Sequence, residues 1–197
     1  MKNRVMWALV MAMAVTSGCV NSTELIKANN ISTRNDVFQE LTDRGSIPQG
    51  YADLLIAFSM KTHNPGIYSA KDIHGTPDYK LLLNIDGQVV QLQGSLRMEN
   101  IETMVHRDTE VGEGMRYRFN KHLRLNAGTH KVVIAIPADD LAIEREITLT
   151  DGSSNNLTLE PVYSTTPGKR RPAAIGLPNY KEGIRSIRLT LNDREAP

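Results

Sequence analysis

Beyond residue 50 the chain alternates short apolar runs with clusters of Gly, Pro, Asn and Asp, the pattern of strands joined by tight turns. The run at 52–62 spaces Leu54, Ile56, Phe58 and Met60 two residues apart, so all four share one face of an extended strand. Runs at 79–85 and 88–92 flank Asp86-Gly87, a dipeptide suited to the positive backbone angles of a two-residue hairpin turn. A further strand is predicted at 101–105, before a loop through Gly112 and Gly114. Met115, Tyr117, Phe119, Leu123 and Leu125 then mark one long strand, which Asn126-Ala127-Gly128 turns back. Val132, Ile134 and Ile136 repeat with period two, and runs at 143–149, 157–162 and 184–191 complete the set. Ile134 and Ile147 are expected in the core on neighbouring strands, with Val133 on the opposite face. Seven or more strands with little helix predict an all-β protein, a β-sandwich spanning 51–197.

The first fifty residues follow other patterns. Residues 20–35 are rich in Asn, Ser and Thr, with weak apolar positions at Leu25, Ile26 and Ile31, and read as a solvated tether. Asp36 is placed to cap a short helical turn through Val37, Phe38 and Leu41, ending near Gly45 and Pro48. At the start, Lys2 and Arg4 precede an apolar run at 5–15 that is short for a membrane-spanning helix and fits a cleaved export signal.

That run ends in Val15-Thr16-Ser17-Gly18-Cys19, which resembles the lipobox of bacterial lipoproteins, with Thr16 where Leu or Val is usual. The resemblance implies cleavage after Gly18, diacylglycerol on the Cys19 thiol and a further acyl chain, such as palmitate, on the new amino terminus. It implies three parts: a signal peptide at 1–18, a lipidated tether with a short helical turn at 19–50, and the sandwich. The membrane partner is reached through the lipid, and the location is the cell envelope. In a Gram-negative source Val20, rather than Asp, after the cysteine implies the outer membrane. An ordinary secretory signal with an incidental cysteine is the alternative, and Cys19 being the sole cysteine favours lipid attachment.

Composition narrows the function classes. One cysteine cannot pair within its own chain, so the fold relies on its core rather than on disulfides. Losing Lys2 and Arg4 with the signal leaves 21 basic against 22 acidic side chains, and no bulk charge argues for nucleic acid.

Four segments resemble the PEGA domain, a small immunoglobulin-like or carboxypeptidase-regulatory-like β module of bacterial surface proteins. They are Leu83-Asn84-Ile85-Asp86-Gly87-Gln88, Leu125-Asn126-Ala127-Gly128-Thr129-His130-Lys131-Val132, Glu144-Arg145-Glu146-Ile147-Thr148-Leu149 and Asn156-Leu157-Thr158-Leu159. An insertion at 91–117 stands where that pattern has a short link. The resemblance implies a non-catalytic envelope module that contacts an envelope protein or a glycan.

Candidate chemistry is sparse. The chain has no Gly-x-Ser-x-Gly elbow, no His-Glu-x-x-His, no phosphate-binding Gly loop and no second cysteine, so no catalytic residue, cofactor or metal set is assigned. His63 and His74 flank Asn64-Pro65-Gly66 with Asp72 and Asp78 nearby. These histidines are read as solvated or at the core edge, the alternative being a periplasmic enzyme or metal-binding accessory that uses them. His130 is expected to stabilise a turn by bonding backbone. Arg116, Arg118 and Arg124 share the outward face opposite Tyr117, Phe119, Leu123 and Leu125. Either they are the wet face of a sheet, or, with Lys169, Arg170 and Arg171 in the Pro- and Gly-punctuated segment 165–183, they bind an anionic envelope component.

Overall fold

The computed structural model describes residues 22–43, 45–102, 109–165 and 178–196. Its first sheet is built on β2 (Tyr51–Thr62) and β6 (Gly112–Asn126), antiparallel over the whole of β2, from Tyr51↔Asn126 to Thr62↔Met115. The other edge of β2 pairs in parallel with β9 (Ser154–Tyr163), and β10 (Ile184–Leu191) and β11 (Arg194–Glu195) extend the sheet antiparallel. The outer edge of β6 takes β1 (Phe38–Glu40) near one end and β5 (Ser95–Ile101) near the other. The second sheet runs β4-β3-β7-β8, from β4 (Gln88–Gln93) and β3 (Lys80–Ile85) to β7 (Gly128–Ile136) and β8 (Leu141–Leu149).

The predicted alternation makes the core. Leu54, Ile56, Phe58 and Met60 of β2 and Tyr117, Phe119, Leu123 and Leu125 of β6 are all buried against Leu81, Leu83 and Ile85 of β3 and Val132, Ile134 and Ile136 of β7. Ile147 joins the same cluster from β8. The protein is thus an all-β sandwich of two sheets. Asp86 and Gly87 both take positive φ between β3 and β4, as their turn requires. A Cβ on Gly87 would also stand 2.6 Å from Thr33 Oγ1, so glycine lets residues 33 and 34 lie across the turn and hydrogen-bond its carbonyl.

Three expectations are corrected. Residues 20–35 include α1 (Ser22–Asn29), which is docked rather than solvated. Glu24 in its first turn and Lys27 in its last complement the helix dipole. Thr23 Oγ1 donates to Asp140, and Asn84 Nδ2 on β3 reaches Asn29 Oδ1 at 3.1 Å. Leu25, Val133 and Ala135 are buried yet stand outside the main cluster; α1 packs against β8 and bonds Asn84, the register partner of Val133, so it lies across the outer face of the second sheet. The turn expected from Asp36 is instead β1, since the Gln88 side chain accepts from Val37 N and Phe38 N and donates to Phe38 O. One amide side chain thereby supplies the bonds of a missing strand. The strand expected at 101–105 is β5, ending at Ile101, and residues 103–108 lie outside the described residues.

Ile134→Ala should destabilise by about 2–5 kcal/mol through lost burial and an unfilled cavity. Val133→Ala should cost about 1–2 kcal/mol while α1 covers it, and much less once α1 is deleted. Urea denaturation of the single variants and of the same variants without α1 checks this. A Val133→Ala cost unaffected by the deletion would place the helix elsewhere.

Candidate functional site at the loop end of the sandwich

β2 delivers Lys61 and Thr62 to one end of the sandwich, and the chain continues into His63 and a loop that returns at Tyr79. Gly75 lets that loop close: its φ is +75°, and a Cβ there would stand 2.8 Å from the Pro65 ring and 2.9 Å from the His63 carbonyl oxygen. The fold-back brings His74 over His63, with ring centroids 5.0 Å apart.

Asp72 lies between the two imidazoles. Its Oδ2 is 3.3 Å from His63 Nε2 and its Oδ1 is 2.5 Å from His74 Nδ1. The outer nitrogens are held as well: His63 Nδ1 is 3.0 Å from the Asn64 carbonyl oxygen, and His74 Nε2 is 3.0 Å from Asp139 Oδ1. Asp139 comes from the 3-10 turn between β7 and β8, and its other oxygen accepts from the Tyr79 hydroxyl. Rings then run from the site into the core, His74 to Tyr79 to Tyr117 to Phe119, with centroids 4.9–5.9 Å apart. One ligating atom from each of His63, Asp72 and His74 lies within 4.8 Å of the other two.

Electrostatics follow from this geometry. The hydrogen bond to Asp139, opposed by burial and reinforced by Asp72, pushes the His74 pKa up to about 9. Burial works against ionisation of Asp72, but hydrogen bonds from the His74 backbone and ring and the nearby imidazole charges hold its carboxyl below the usual range. Burial, with the charge and hydrogen bond of Asp139, pushes the Tyr79 phenol upward, so Tyr79 stays a donor.

A second polar cluster faces the first across a cavity of about 410 Å³ lined by His63, Tyr68, Asp72, Asp139 and Tyr180 among others. Lys61 is fully buried, donates to the backbone oxygens of Glu110 and Gly112, and lies 4.9 Å from the Tyr180 ring centroid. The Tyr163 hydroxyl donates to Glu110 Oε1 at 2.6 Å and accepts from Lys61 N at 2.8 Å. A larger cavity of about 670 Å³ lies beside β8 and β11, lined by Ile147, Leu191 and Arg194 among others, with no comparable group of ligating side chains among the described residues.

The sequence had paired His63, His74, Asp72 and Asp78 along the chain. The structure joins the first three and leaves Asp78 exposed; His63 is buried and His74 half-buried at the end of the sandwich, the core-edge placement rather than the solvated one. Asp139 and Tyr79 were not foreseen, because Asp139 lies 65 residues from His74 and carries no local signal. His130 does bond backbone, Asn126 O at 2.8 Å, and also Asp86 Oδ2 at 2.7 Å.

The outward arginines take the expected face, but two of the three are charge-compensated. Arg116 is buried, with Nε 2.7 Å from Glu99 Oε2 and a terminal nitrogen 2.5 Å from Glu110 Oε2. Arg124 grips both oxygens of buried Asp53, at 2.7 and 3.0 Å. Arg118 is exposed. An open cationic patch of all three is therefore corrected to two ion-paired arginines and one solvated one. Cys19, Lys169, Arg170 and Arg171 lie outside the described residues. No helix among the described residues is long and apolar enough to cross a membrane. No family model, no curated protein and no solved structure matches this chain.

Arg116→Gln should destabilise by about 2–4 kcal/mol, since it strands two partly buried carboxylates, whereas Arg118→Gln should change stability by less than about 0.5 kcal/mol. Thermal and urea unfolding of the pair checks this, and equal effects would refute it. The Arg124 guanidinium holds Asp53 below the usual carboxylate range against the cost of burial. A lowered folded-state pKa stabilises above the unfolded value and is lost as pH falls through the folded one. Asp53→Asn should therefore destabilise at pH 7, and its gap from wild type should narrow below about pH 4. Denaturation from pH 7 to pH 3 measures that gap, and a constant gap would mean that ionisation of Asp53 is not what stabilises.

Proposed function

We propose that this protein is a non-catalytic, lipid-anchored module of the bacterial cell envelope that presents a β-sandwich to an envelope protein or a glycan. The observation that carries the reading is the order at the N-terminus: Lys2 and Arg4, an apolar run, Thr16-Ser17-Gly18, and then the sole cysteine. Lipid on Cys19 explains a cysteine at that point, and a PEGA-like sandwich is the kind of body such an anchor displays. In a Gram-negative source the membrane is the outer one.

The fold adds an orientation to this reading. α1 begins three positions after Cys19, a stretch that spans at most about 10–11 Å when extended. Its Thr23 bonds Asp140, the neighbour of Asp139 in the candidate site, and Asn29 at its other end meets Asn84 on β3. An anchored Cys19 would hold the His63–Asp72–His74 end near the bilayer, with the Asp86-Gly87 and Asp151-Gly152 turns facing away. Two acyl chains or more give stable attachment where one alone is marginal.

Cys19→Ser should abolish incorporation of labelled fatty acid and move the processed protein from the membrane fraction to the soluble one. Fractionation with metabolic labelling decides it. Retention on membranes with continued labelling in the serine variant would refute the anchor.

A further inference from the structure

We infer that His63 Nε2, His74 Nδ1 and the Asp72 carboxylate form a binding site for one divalent transition-metal ion of the zinc type. The inference stands on the loop geometry and holds whether or not Cys19 carries lipid.

The first argument is the fixing of ring nitrogens. The Asn64 carbonyl oxygen 3.0 Å from His63 Nδ1 can only accept, so Nδ1 carries the proton and a neutral His63 offers the lone pair of Nε2. That lone pair faces Asp72 Oδ2 at 3.3 Å. Two acceptors face each other there, and the arrangement is favourable only with a cation between them, a proton or a metal. On His74, Asp139 holds Nε2 at 3.0 Å and is itself held by the Tyr79 hydroxyl, which leaves Nδ1 directed at Asp72 Oδ1. Both imidazoles therefore turn an inner nitrogen toward one carboxylate while an outer nitrogen is fixed. A carboxylate or a carbonyl on the far nitrogen is the usual support of a metal-bound histidine.

The second argument is size and donor type. Ligand bonds of about 2.0–2.2 Å at tetrahedral angles set donor atoms roughly 3.3–3.5 Å apart. The donors here fall within 4.8 Å, with the closest pair at 2.5 Å, so that pair must open and the widest must close by an ångström or so. Asp72 and His74 stand on the loop between β2 and β3 rather than on a strand, so the adjustment falls on loop backbone and not on the sheet. Two imidazoles and one carboxylate suit zinc and its first-row neighbours rather than calcium or magnesium, which prefer all-oxygen sets. Three protein ligands leave a fourth position open, and the cavity of about 410 Å³ lies beside the same residues. On binding, the metal takes the place of the proton on His74 Nδ1, which is released to solvent.

The test uses chelator-treated full-length protein carrying Cys19→Ser, so that no thiol competes. Zinc is titrated against a chromogenic chelator, and histidine ring nitrogens are followed by nitrogen-15 NMR during the titration. The expected result is one zinc per chain, with His63 Nε2 and His74 Nδ1 moving to metal-bound shifts while His63 Nδ1 and His74 Nε2 stay protonated. His63→Ala or His74→Ala should lose at least about 100-fold in affinity, Asp139→Asn about 10- to 100-fold, and Asp78→Asn nothing. The NMR readout comes from the unaltered loop, so a variant that fails to fold leaves the test intact. Absence of stoichiometric zinc, or zinc bound with those two nitrogens unmoved, would overturn the inference and leave the cluster held by protons alone.

Discussion

The pairing of β2 with β6 is the interaction on which the rest depends. Twelve residues of β2 meet β6 in one unbroken register, from Tyr51↔Asn126 to Thr62↔Met115. With a side-chain period of two, a slip of β2 by one residue against β6 would send Leu54, Ile56, Phe58 and Met60 to the outside while Tyr117, Phe119 and Leu123 stayed on the core face. The same register decides the polar contacts. Asp53 stands opposite Arg124, so the bidentate pair forms across the outer face, and Lys61 is carried to the end of the sheet, where it closes on the Glu110 and Gly112 carbonyls. A register chosen by apolar burial thus also sets the ion pairs and the start of the loop that bears the candidate site.

What the sequence made legible is what period two and local turn chemistry encode. The strands β2 to β4 and β6 to β10, the Asp86-Gly87 hairpin and the two faces of β6 were readable because each depends on near neighbours, whereas β5 ends at Ile101, where the strand expected at 101–105 begins. α1 and β1 were not, for a common reason: distant side chains hold them. β1 is a strand because it pairs with β6 and is bonded by Gln88 from 50 residues away, and Asn84 and Asp140 dock α1. The arginines show the same limit. Their face follows from alternation, but their partners Glu99, Glu110 and Asp53 are supplied by β5, by the chain before β6 and by β2.

The candidate site was half legible, along the same line of division. His63, Asp72 and His74 lie within twelve residues, and their proximity in sequence was visible. Their convergence needs the turn at Gly75, where a side chain would collide with Pro65 and the His63 carbonyl. Their orientation needs Asp139, which reaches His74 only because β7 pairs with both β3 and β8 and so sets its terminal turn above Tyr79. Residues that provide chemistry were near one another in the chain, and the residue that aims them was not.

α1 connects these features to the proposed anchor. Eight residues form a marginal helix in isolation, so its stability comes from burying Leu25 and from its bonds to Asp140 and Asn84. In return it lies over the outer face of the second sheet, on which Val133 is buried beside Asn84. A flexible tether would let the body turn freely above a membrane, whereas a docked helix fixes the direction in which the chain leaves toward Cys19. Under the proposed anchor, a pull from the membrane would act first on the Thr23–Asp140 contact, one residue from Asp139 and the His74 ring it orients. Under the lipoprotein reading, the element that joins the body to its lipid is also packed against the turn that organises the candidate site.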